Sequence, residues 1–309
     1  MSEGAPIGLV GLGAMGGRMA RLLLEDGHAL SVYDTRPDAV AALAERGAVP
    51  AGSAAEVADV AETVLASLPT PDVVREAVCG VRGVVHGKAV RIFVDVSTTG
   101  ATASEEIGRA LAASDVVHVD APVSGGVAGL EARRLTVMAS GDRDAFERVR
   151  PLLETFASNV FWVGPEVGQG QTAKLLNNLL SATAVAVTSE ALALGVRSGL
   201  DPGTLLEVFN ASTGRNTATT DKFPRHVLTR AFGSGFRLRL MAKDVELCLA
   251  EARRRHVPMP VGGAVQQLWT LAAAQAREED DHTQLVELYE GWTGVEVVSR
   301  APAAVEPRE

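Results

Sequence analysis

The chain has 309 residues, of which 47% are hydrophobic, 22% charged and only 4% aromatic. This composition excludes wholesale disorder, collagen-like repeats and a multi-span membrane protein, and a length well above roughly 200 residues predicts two domains. The net charge of −9 argues against a nucleic-acid partner. The two cysteines lack motif spacing, so we expect neither a disulfide framework nor a metal site. Residues 1–6 contain an acid and no apolar signal core, which predicts a cytoplasmic protein.

The first half of the chain alternates β-branched runs with polar segments of helical period. The predicted strands are 7–10, 30–33, 63–67, 91–96, 116–119, 135–139 and 160–163. The predicted helices between them include 14–26, 37–46, 71–79 and 103–114. Alternating strands and helices predict an α/β domain with a mainly parallel sheet covered by helices on both faces.

Strand patterns stop after Gly164, and helical patterns continue to about residue 292. The predicted domains are therefore 1–165 and 166–298, followed by a tail over 299–309 that is rich in Ala, Pro and Glu and is expected to be disordered. Residues 175–189 carry no charge, but this run is shorter than the roughly 20 residues that cross a bilayer. It predicts a buried helix, and we expect no membrane contact.

A glycine motif, G-x-G-x-x-G, directly follows the first predicted strand. Gly11 permits a tight turn, Gly13 lets a pyrophosphate approach the backbone, and Gly16 lets the next helix pack closely. The helix amino terminus would add a partial positive charge. The predicted cofactor-binding residues of this turn are Gly11, Leu12, Gly13, Ala14, Met15 and Gly16. The alternative is a glycine-rich turn without a ligand.

Asp34 follows the second predicted strand, where a carboxylate can accept hydrogen bonds from both hydroxyls of the adenosine ribose. The same carboxylate repels a 2′-phosphate, which favours NAD over NADP as the cofactor. Arg36 is the counter-evidence, because its side chain could approach that phosphate. The alternative for Asp34 is a turn residue ahead of Pro37.

The run 120–126 reads DAPVSGG and follows the fifth predicted strand. Ser124, Gly125 and Gly126 can offer a hydroxyl and backbone N–H groups to a substrate carboxylate. An ordinary loop is the alternative.

The run 168–178 opens the longest helical pattern, with Lys174 and Asn178 on one face. A partly desolvated lysine can act as general acid or base, although a lysine that snorkels at a helix start would look the same. Further along, Lys243 stands beside Asp244, a pairing that is ordinarily a surface ion pair.

These four motifs, in this order, resemble the β-hydroxyacid dehydrogenase family, which includes 3-hydroxyisobutyrate dehydrogenases. The resemblance implies a Rossmann-like NAD domain followed by an all-helical domain, and reversible hydride transfer between the nicotinamide and a small anionic hydroxy acid. It implies that Lys174 is the general acid or base and that Asn178 orients the substrate. It also implies cofactor contacts from Leu68, Pro69, Thr98 and Lys243, and a homodimer or homotetramer.

Several alternatives stay open beside the 3-hydroxyisobutyrate-like function. The chain could reduce tartronate semialdehyde or glyoxylate, oxidise L-threonate, or be an NADP-linked relative of the imine reductases. A 6-phosphogluconate dehydrogenase would carry a histidine where Asn177 stands, and a non-catalytic dinucleotide sensor would need no Lys174. Arg133 and Arg134 depart from the family pattern of a glycine and a small polar residue, which predicts a reshaped loop.

Overall fold

A computed structural model of the chain describes residues 6–299, and its first half is an α/β unit. The strands are β1 (Ile7–Val10), β2 (Leu30–Tyr33), β3 (Val49–Pro50), β4 (Thr63–Ala66), β5 (Ile92–Asp95), β6 (Val117–Asp120), β7 (Val123–Ser124), β8 (Leu135–Gly141) and β9 (Ala157–Gly164). The helices are α1 (Gly16–Glu25), α2 (Pro37–Ala44), α3 (Ala54–Val60), α4 (Pro71–Cys79), α5 (Ala101–Ala112), α6 (Gly126–Glu131) and α7 (Arg143–Glu154), with a short 3-10 turn at Val84–His86.

The strands form one sheet in which β3-β2-β1-β4-β5-β6 are neighbours and run parallel. Strand β8 then pairs antiparallel with β6 and β7, and parallel with β9. The strand order reverses between β1 and β4, and in open sheets of this kind ligands bind outside the carboxyl ends of the strands at that point. The predicted α/β class and mainly parallel sheet are confirmed.

Alternation along the strands builds an apolar core on each face of the sheet. Ile7, Leu9 and Leu65 point to one face, which α1 and α7 cover, while Val64 and Phe93 point to the other, which α3, α4 and α5 cover. The seven predicted strands are all present. Two of them have the predicted bounds, and the ends of the others shift by at most three residues. The sequence pattern missed β3 and β7, because strands of two residues are too short to show a period of two.

The second half is helical within the described residues. Its helices are α8 (Gln169–Arg197), α9 (Pro202–Ala211), a π-helical stretch at Ala218–Val227, α10 (Leu238–Arg254), α11 (Pro260–Gln275), a 3-10 turn at His282–Leu285 and α12 (Val286–Thr293). The all-helical second half is therefore confirmed. Apart from Ser299, the predicted tail lies outside the described residues.

Two compact units divide between Leu175 and Leu176, inside α8. This is ten residues beyond the predicted boundary at 165/166, because the first turns of α8 pack onto the sheet. Gly170 shows the closeness of that packing, since a Cβ added there would lie 2.3 Å from the Met138 carbonyl oxygen. Sequence patterns place the start of a helix but not the unit against which its first turns pack.

Helix α8 has the length and apolar composition of a membrane span, and half of its most apolar window is buried inside the protein. The prediction of a buried helix is therefore only half right. Leu176, Leu180, Val187 and Leu194 are exposed, by 47%, 73%, 51% and 68%. These four side chains recur at helical spacing and define what we call the α8 stripe.

Arg133 has a left-handed backbone with φ of 53°. This is the position where the family pattern has a glycine, which adopts such a conformation without steric cost. The guanidinium of Arg133 makes two hydrogen bonds to the Asp26 carboxylate, at 2.6 and 2.8 Å, and a third to the Thr155 carbonyl at 2.9 Å. The arginine therefore takes the glycine conformation, and its side chain ties the loop to the end of α1.

His118 is a buried histidine on β6, and its ring lies 5.5 Å from that of Phe93. Burial lowers the pKa of His118 from 6.5 to about 4. The unfolded chain therefore binds a proton at a higher pH than the folded chain does, so the free energy of unfolding falls as the pH drops from 6.5 towards 4. We expect this loss to be about 2 kcal/mol between about pH 8 and about pH 5.

The variant His118→Phe keeps a ring at this position but cannot bind the proton. Urea unfolding of both proteins at the two pH values isolates the effect, since every other titrating group is shared. We expect the unfolding free energy of the wild type to lose about 2 kcal/mol more than that of the variant at acid pH. An equal loss in both would show that His118 does not titrate as described.

Candidate active site

The glycine turn between β1 and α1 combines two kinds of glycine. A Cβ on Gly11 would lie 2.4 Å from the Ser67 carbonyl oxygen, and one on Gly16 would lie 1.9 Å from the Gly11 carbonyl oxygen. Gly11 also has φ of 91°, so packing and backbone conformation both require glycine there. A Cβ on Gly13, in contrast, would lie more than 4 Å from every atom of the other described residues, its two chain neighbours aside. The protein itself does not require a glycine at position 13.

The open space at Gly13 fits a dinucleotide pyrophosphate, which must come close to the backbone of this turn. Helix α1 begins there without a hydrogen bond from its N-cap side chain and without an acidic residue in its first turn. Its first N–H groups and its positive end can therefore bind a phosphate.

Asp34 is joined to the glycine turn by a short hydrogen bond. The Leu12 amide donates to Asp34 Oδ2 at 2.6 Å, and the Arg36 amide donates to Oδ1 at 2.8 Å. The Arg36 guanidinium lies along the same carboxylate and also donates to the Leu12 carbonyl oxygen at 3.0 Å. Burial raises the pKa of Asp34, but the hydrogen bonds from Arg36 and Leu12 outweigh burial and leave this pKa below its usual value. Asp34 is thus a carboxylate at neutral pH.

The other predicted cofactor contacts of the first unit follow the next parallel strands. Leu68 and Pro69 follow β4, and Thr98 follows β5. The Leu68 amide donates to Ser97 Oγ at 2.9 Å, which ties these two strand ends together. A Cβ on Gly11 would also lie 2.6 Å from Leu68 Cδ2, so Leu68 borders the glycine turn. Parallel pairing places all of these residues along one edge of the sheet.

The predicted carboxylate-binding residues lie at the same edge, after β6. Ser124 belongs to the two-residue strand β7, opposite Thr136. Gly125 and Gly126 both have positive φ values, 126° and 62°, and they start α6. A side chain at either residue would be strained, and their backbone N–H groups precede or open a helix, as an anion site requires.

A buried polar cluster connects these strand ends to the first turn of α8. Asp95 and Asp120 end neighbouring strands in register, and both are fully buried. Burial raises the pKa of Asp120 to about 7, against the hydrogen bond from Gln171, and Asp95 raises it further. Gln171 carries no predicted role, although its amide joins this cluster. The carboxylates that end β5 and β6 indicate a polar site at this edge of the sheet, but no local signal points to Gln171 as their partner.

Lys174 and Asn178 are one turn apart on α8, and both are buried, with 8% and 5% exposed. Lys174 belongs to the first unit and Asn178 to the second. Within the second unit, Asn178 Nδ2 donates to Asp244 Oδ2 at 2.6 Å, and Lys243 Nζ lies 3.0 Å from Asp244 Oδ1. The Asp244 side chain is only 2% exposed, so the alternative of a surface ion pair is wrong. Asp244 instead orients the Asn178 amide and the Lys243 ammonium.

Among residues 6–299, no group of three or more His, Cys, Asp or Glu side chains could hold a metal ion. The titratable groups described above at the carboxyl edge of the sheet and on the first turns of α8 include the carboxylates of Asp34, Asp95 and Asp120 and the amine of Lys174. These can bind, orient and exchange protons.

Comparison with protein families matches two models to the two halves of the chain. Residues 6–164 match the NAD binding domain of 6-phosphogluconate dehydrogenase. Residues 168–289 match a model described as the NAD-binding region of NADP-dependent 3-hydroxyisobutyrate dehydrogenase.

Individual relatives agree over nearly the full length. The chain is 38% identical to a 3-hydroxyisobutyrate dehydrogenase of Pseudomonas aeruginosa, over 92% of this chain and 98% of that protein. It is 33% identical to a 2-(hydroxymethyl)glutarate dehydrogenase of Eubacterium barkeri, over 96% and 99%. The solved structure of the Mycobacterium tuberculosis 3-hydroxyisobutyrate dehydrogenase with L-serine superimposes with a TM-score of 0.85 at 30% identity, over 92% of this chain and 98% of that chain.

Proposed function

The chain belongs to the β-hydroxyacid dehydrogenase family, and from this premise we propose that it is an NAD-dependent oxidoreductase of a small β-hydroxy acid such as 3-hydroxyisobutyrate. The observation that carries the proposal is the pairing on α8 of a buried lysine, Lys174, with a buried asparagine, Asn178, whose amide Asp244 orients. A dinucleotide-binding protein without catalysis would not need this pair.

Each group has a distinct role in the proposed reaction. Bound NAD supplies the acceptor for the hydride that leaves the alcohol carbon. The Lys174 amine takes the hydroxyl proton in oxidation and returns it in reduction. Ser124 and the N–H groups of Gly125 and Gly126 hold the substrate carboxylate, and Asn178 hydrogen-bonds the substrate so that its hydroxyl faces Lys174.

We propose NAD and not NADP as the preferred cofactor, on the basis of Asp34. Its carboxylate is held in place by the Leu12 amide, and its pKa is low enough that it carries a negative charge at neutral pH. Arg36 lies along this carboxylate and does not extend away from it. A 2′-phosphate would therefore meet a fixed negative charge, and the nearby cation is already paired.

A substrate panel tests the proposed function. Purified protein is supplied with NAD and with 3-hydroxyisobutyrate, 2-(hydroxymethyl)glutarate, glycerate, L-threonate or 6-phosphogluconate, and formation of NADH is followed by absorbance. Tartronate semialdehyde, glyoxylate and a cyclic imine are tested in the reverse direction with NADH and NADPH. We expect the highest kcat/KM with a β-hydroxy acid and NAD. Turnover of the imine alone, with NADPH, would contradict the proposal.

We also propose that the chain forms a homodimer or homotetramer through the α8 stripe. The stripe exposes Leu176, Leu180, Val187 and Leu194 on one helix, and exposed apolar surface that recurs in this way marks a protein interface. A second copy of the chain can cover such a stripe with its own.

The variant Leu180→Glu places a charge at the most exposed position of the stripe. We expect it to halve or quarter the mass measured by light scattering after size exclusion, because burying an unpaired carboxylate costs several kcal/mol. Val81→Glu is the matched control, since Val81 is 92% exposed and lies outside the stripe. Equal masses for both variants and the wild type would exclude the stripe as the interface.

A further inference from the structure

Gln171, in the first turn of α8, has a fully buried side chain whose carboxamide oxygen and nitrogen both make hydrogen bonds. Its Oε1 accepts hydrogen bonds from the Thr99 amide at 2.8 Å and from the Gly100 amide at 3.1 Å. Its Nε2 donates to the Ser97 carbonyl oxygen at 3.0 Å and to Asp120 Oδ1 at 2.6 Å. Two acceptor positions and two donors are thus all occupied, which is the full capacity of a carboxamide.

The partners of Gln171 belong to two parts of the candidate site. Residues 97–100 follow β5 and include Thr98, a predicted cofactor contact. Asp120 ends β6 and leads into the predicted carboxylate-binding residues 124–126. The other oxygen of Asp120, Oδ2, accepts from the amides of Gly168 and Gln171 at 3.2 and 3.0 Å. The Ser140 hydroxyl donates to this same oxygen at 3.2 Å and accepts from the Gly170 amide at 2.9 Å.

Lys174 lies three residues after Gln171 on the same helix, a rise of about 4.5 Å. We propose that Gln171 is a positioning residue, which holds the helical turn bearing Lys174 in register with the cofactor segment 97–100 and with the substrate loop after β6. The inference rests on the proposed function for what Lys174 does there. A misplacement of about 1 Å can cost about a hundredfold in rate, which is why such an anchor matters.

A carboxamide bonds to both sides of this position at any pH, because its donor and its acceptor do not titrate. A glutamate could accept from the Thr99 and Gly100 amides, but its second oxygen would face two acceptors, the Ser97 carbonyl oxygen and the Asp120 carboxylate. A methionine of similar length could bond to neither side. Burial and the neighbouring carboxylates Asp120 and Asp95 favour the protonated form of a glutamate at this position, whereas Lys174, three residues further along α8, favours its charged form. We expect burial and the two carboxylates to outweigh the lysine, so that the glutamate binds its proton more tightly than usual.

The first test compares Gln171→Glu, Gln171→Met and the wild type in steady-state kinetics over pH. We expect both variants to lower kcat by about a hundredfold near pH 8, while KM for the hydroxy acid and the Kd for NADH change less than about threefold. The ratio of the wild-type kcat to the Gln171→Glu kcat should fall towards acid pH, because a protonated glutamate has an O–H group that can donate a hydrogen bond. Gln171→Met should show no such recovery.

A control variant in the same turn is Thr172→Ala, because the Thr172 hydroxyl donates to the Gly168 carbonyl oxygen at the start of its own helix. We expect its kcat within about threefold of the wild type. Should the Gln171 variants fail to fold, Ser140→Ala loosens the same anchor by one hydroxyl, and we expect it to lower kcat about fivefold at constant KM. Unchanged kcat in the folded variants, or losses confined to KM, would overturn the proposal.

A second test does not depend on activity. Hydrogen exchange of peptides covering 97–100 and 168–174 should quicken together in Gln171→Met, because the amides of Thr99 and Gly100 lose their acceptor. If the wild type turned over no hydroxy acid, the proposed function would fail, but the exchange result would still judge the anchor. Wild-type exchange rates in both segments of the variant would show that Gln171 does not couple them.

Discussion

Replacing Lys174 by alanine is expected to lower kcat by about 10³-fold while the Kd for NADH stays within about threefold of the wild type. The amine is the group that we propose exchanges the hydroxyl proton, and no other side chain is proposed to hold a proton at that atom. The glycine turn, Asp34 and Thr98 remain in the variant, so the cofactor site is retained. Stopped-flow or steady-state NADH formation gives kcat, and NADH fluorescence gives the Kd.

The matched control is Lys88→Ala, which removes an exposed lysine from the same unit. We expect this control to equal the wild type in kcat and in NADH binding. Retained turnover in Lys174→Ala would remove the proposed mechanism and favour a different proton donor. If Lys174→Ala lost both turnover and NADH binding, the result would instead show that Lys174 helps to bind the cofactor.

The second large effect concerns the choice of cofactor. We expect Asp34→Asn to lower the ratio of kcat/KM for NAD to kcat/KM for NADP by about a hundredfold. A pair of unit charges about 4 Å apart is worth about 4 kcal/mol at an effective dielectric of about 20, so about a thousandfold is the upper limit. The asparagine keeps an oxygen for the Leu12 amide, so the glycine turn stays braced. It also releases the Arg36 guanidinium from its partner.

The double variant Asp34→Asn with Arg36→Ala separates two effects in that experiment. If the released guanidinium binds the 2′-phosphate, most of the increase in kcat/KM for NADP seen in Asp34→Asn should be lost in the double variant. If the increase comes only from the loss of repulsion between the Asp34 carboxylate and the 2′-phosphate, kcat/KM for NADP should stay raised in the double variant. A wild-type enzyme that already prefers NADP would contradict the argument from Asp34 and would point to Arg36.

The sheet and its edge could be predicted from the sequence because β-branched runs and glycine spacing are local signals. The turn 11–16, Asp34 and the strand ends at 68 and 98 lie along one sheet edge, as their positions after successive strands indicate. Arg133 shows the limit of such signals. Its departure from the family pattern predicted a reshaped loop, but the residue keeps the left-handed conformation of a glycine, and nothing local indicated the ion pair with Asp26.

The long-range polar contacts could not be predicted in this way. Gln171 and Asp120 are 51 residues apart, and nothing local in either segment indicates that they meet. The same holds for Asn178 and Asp244, 66 residues apart, where Lys243–Asp244 looked like an ordinary surface pair. Burial decides the role of these groups, and burial depends on which elements pack together, which a single sequence does not state.

The three glycines of the first turn are subject to two separate constraints. Neighbouring carbonyl oxygens forbid a side chain at positions 11 and 16, so any relative that keeps this βα turn must keep glycine there, whatever it binds. Position 13 is open, and only an approaching phosphate would collide with a side chain. Among diverging copies of this gene, a larger residue at position 13 would therefore indicate a lineage that no longer binds a dinucleotide. Glycines at positions 11 and 16 would indicate only that the fold of this turn is kept.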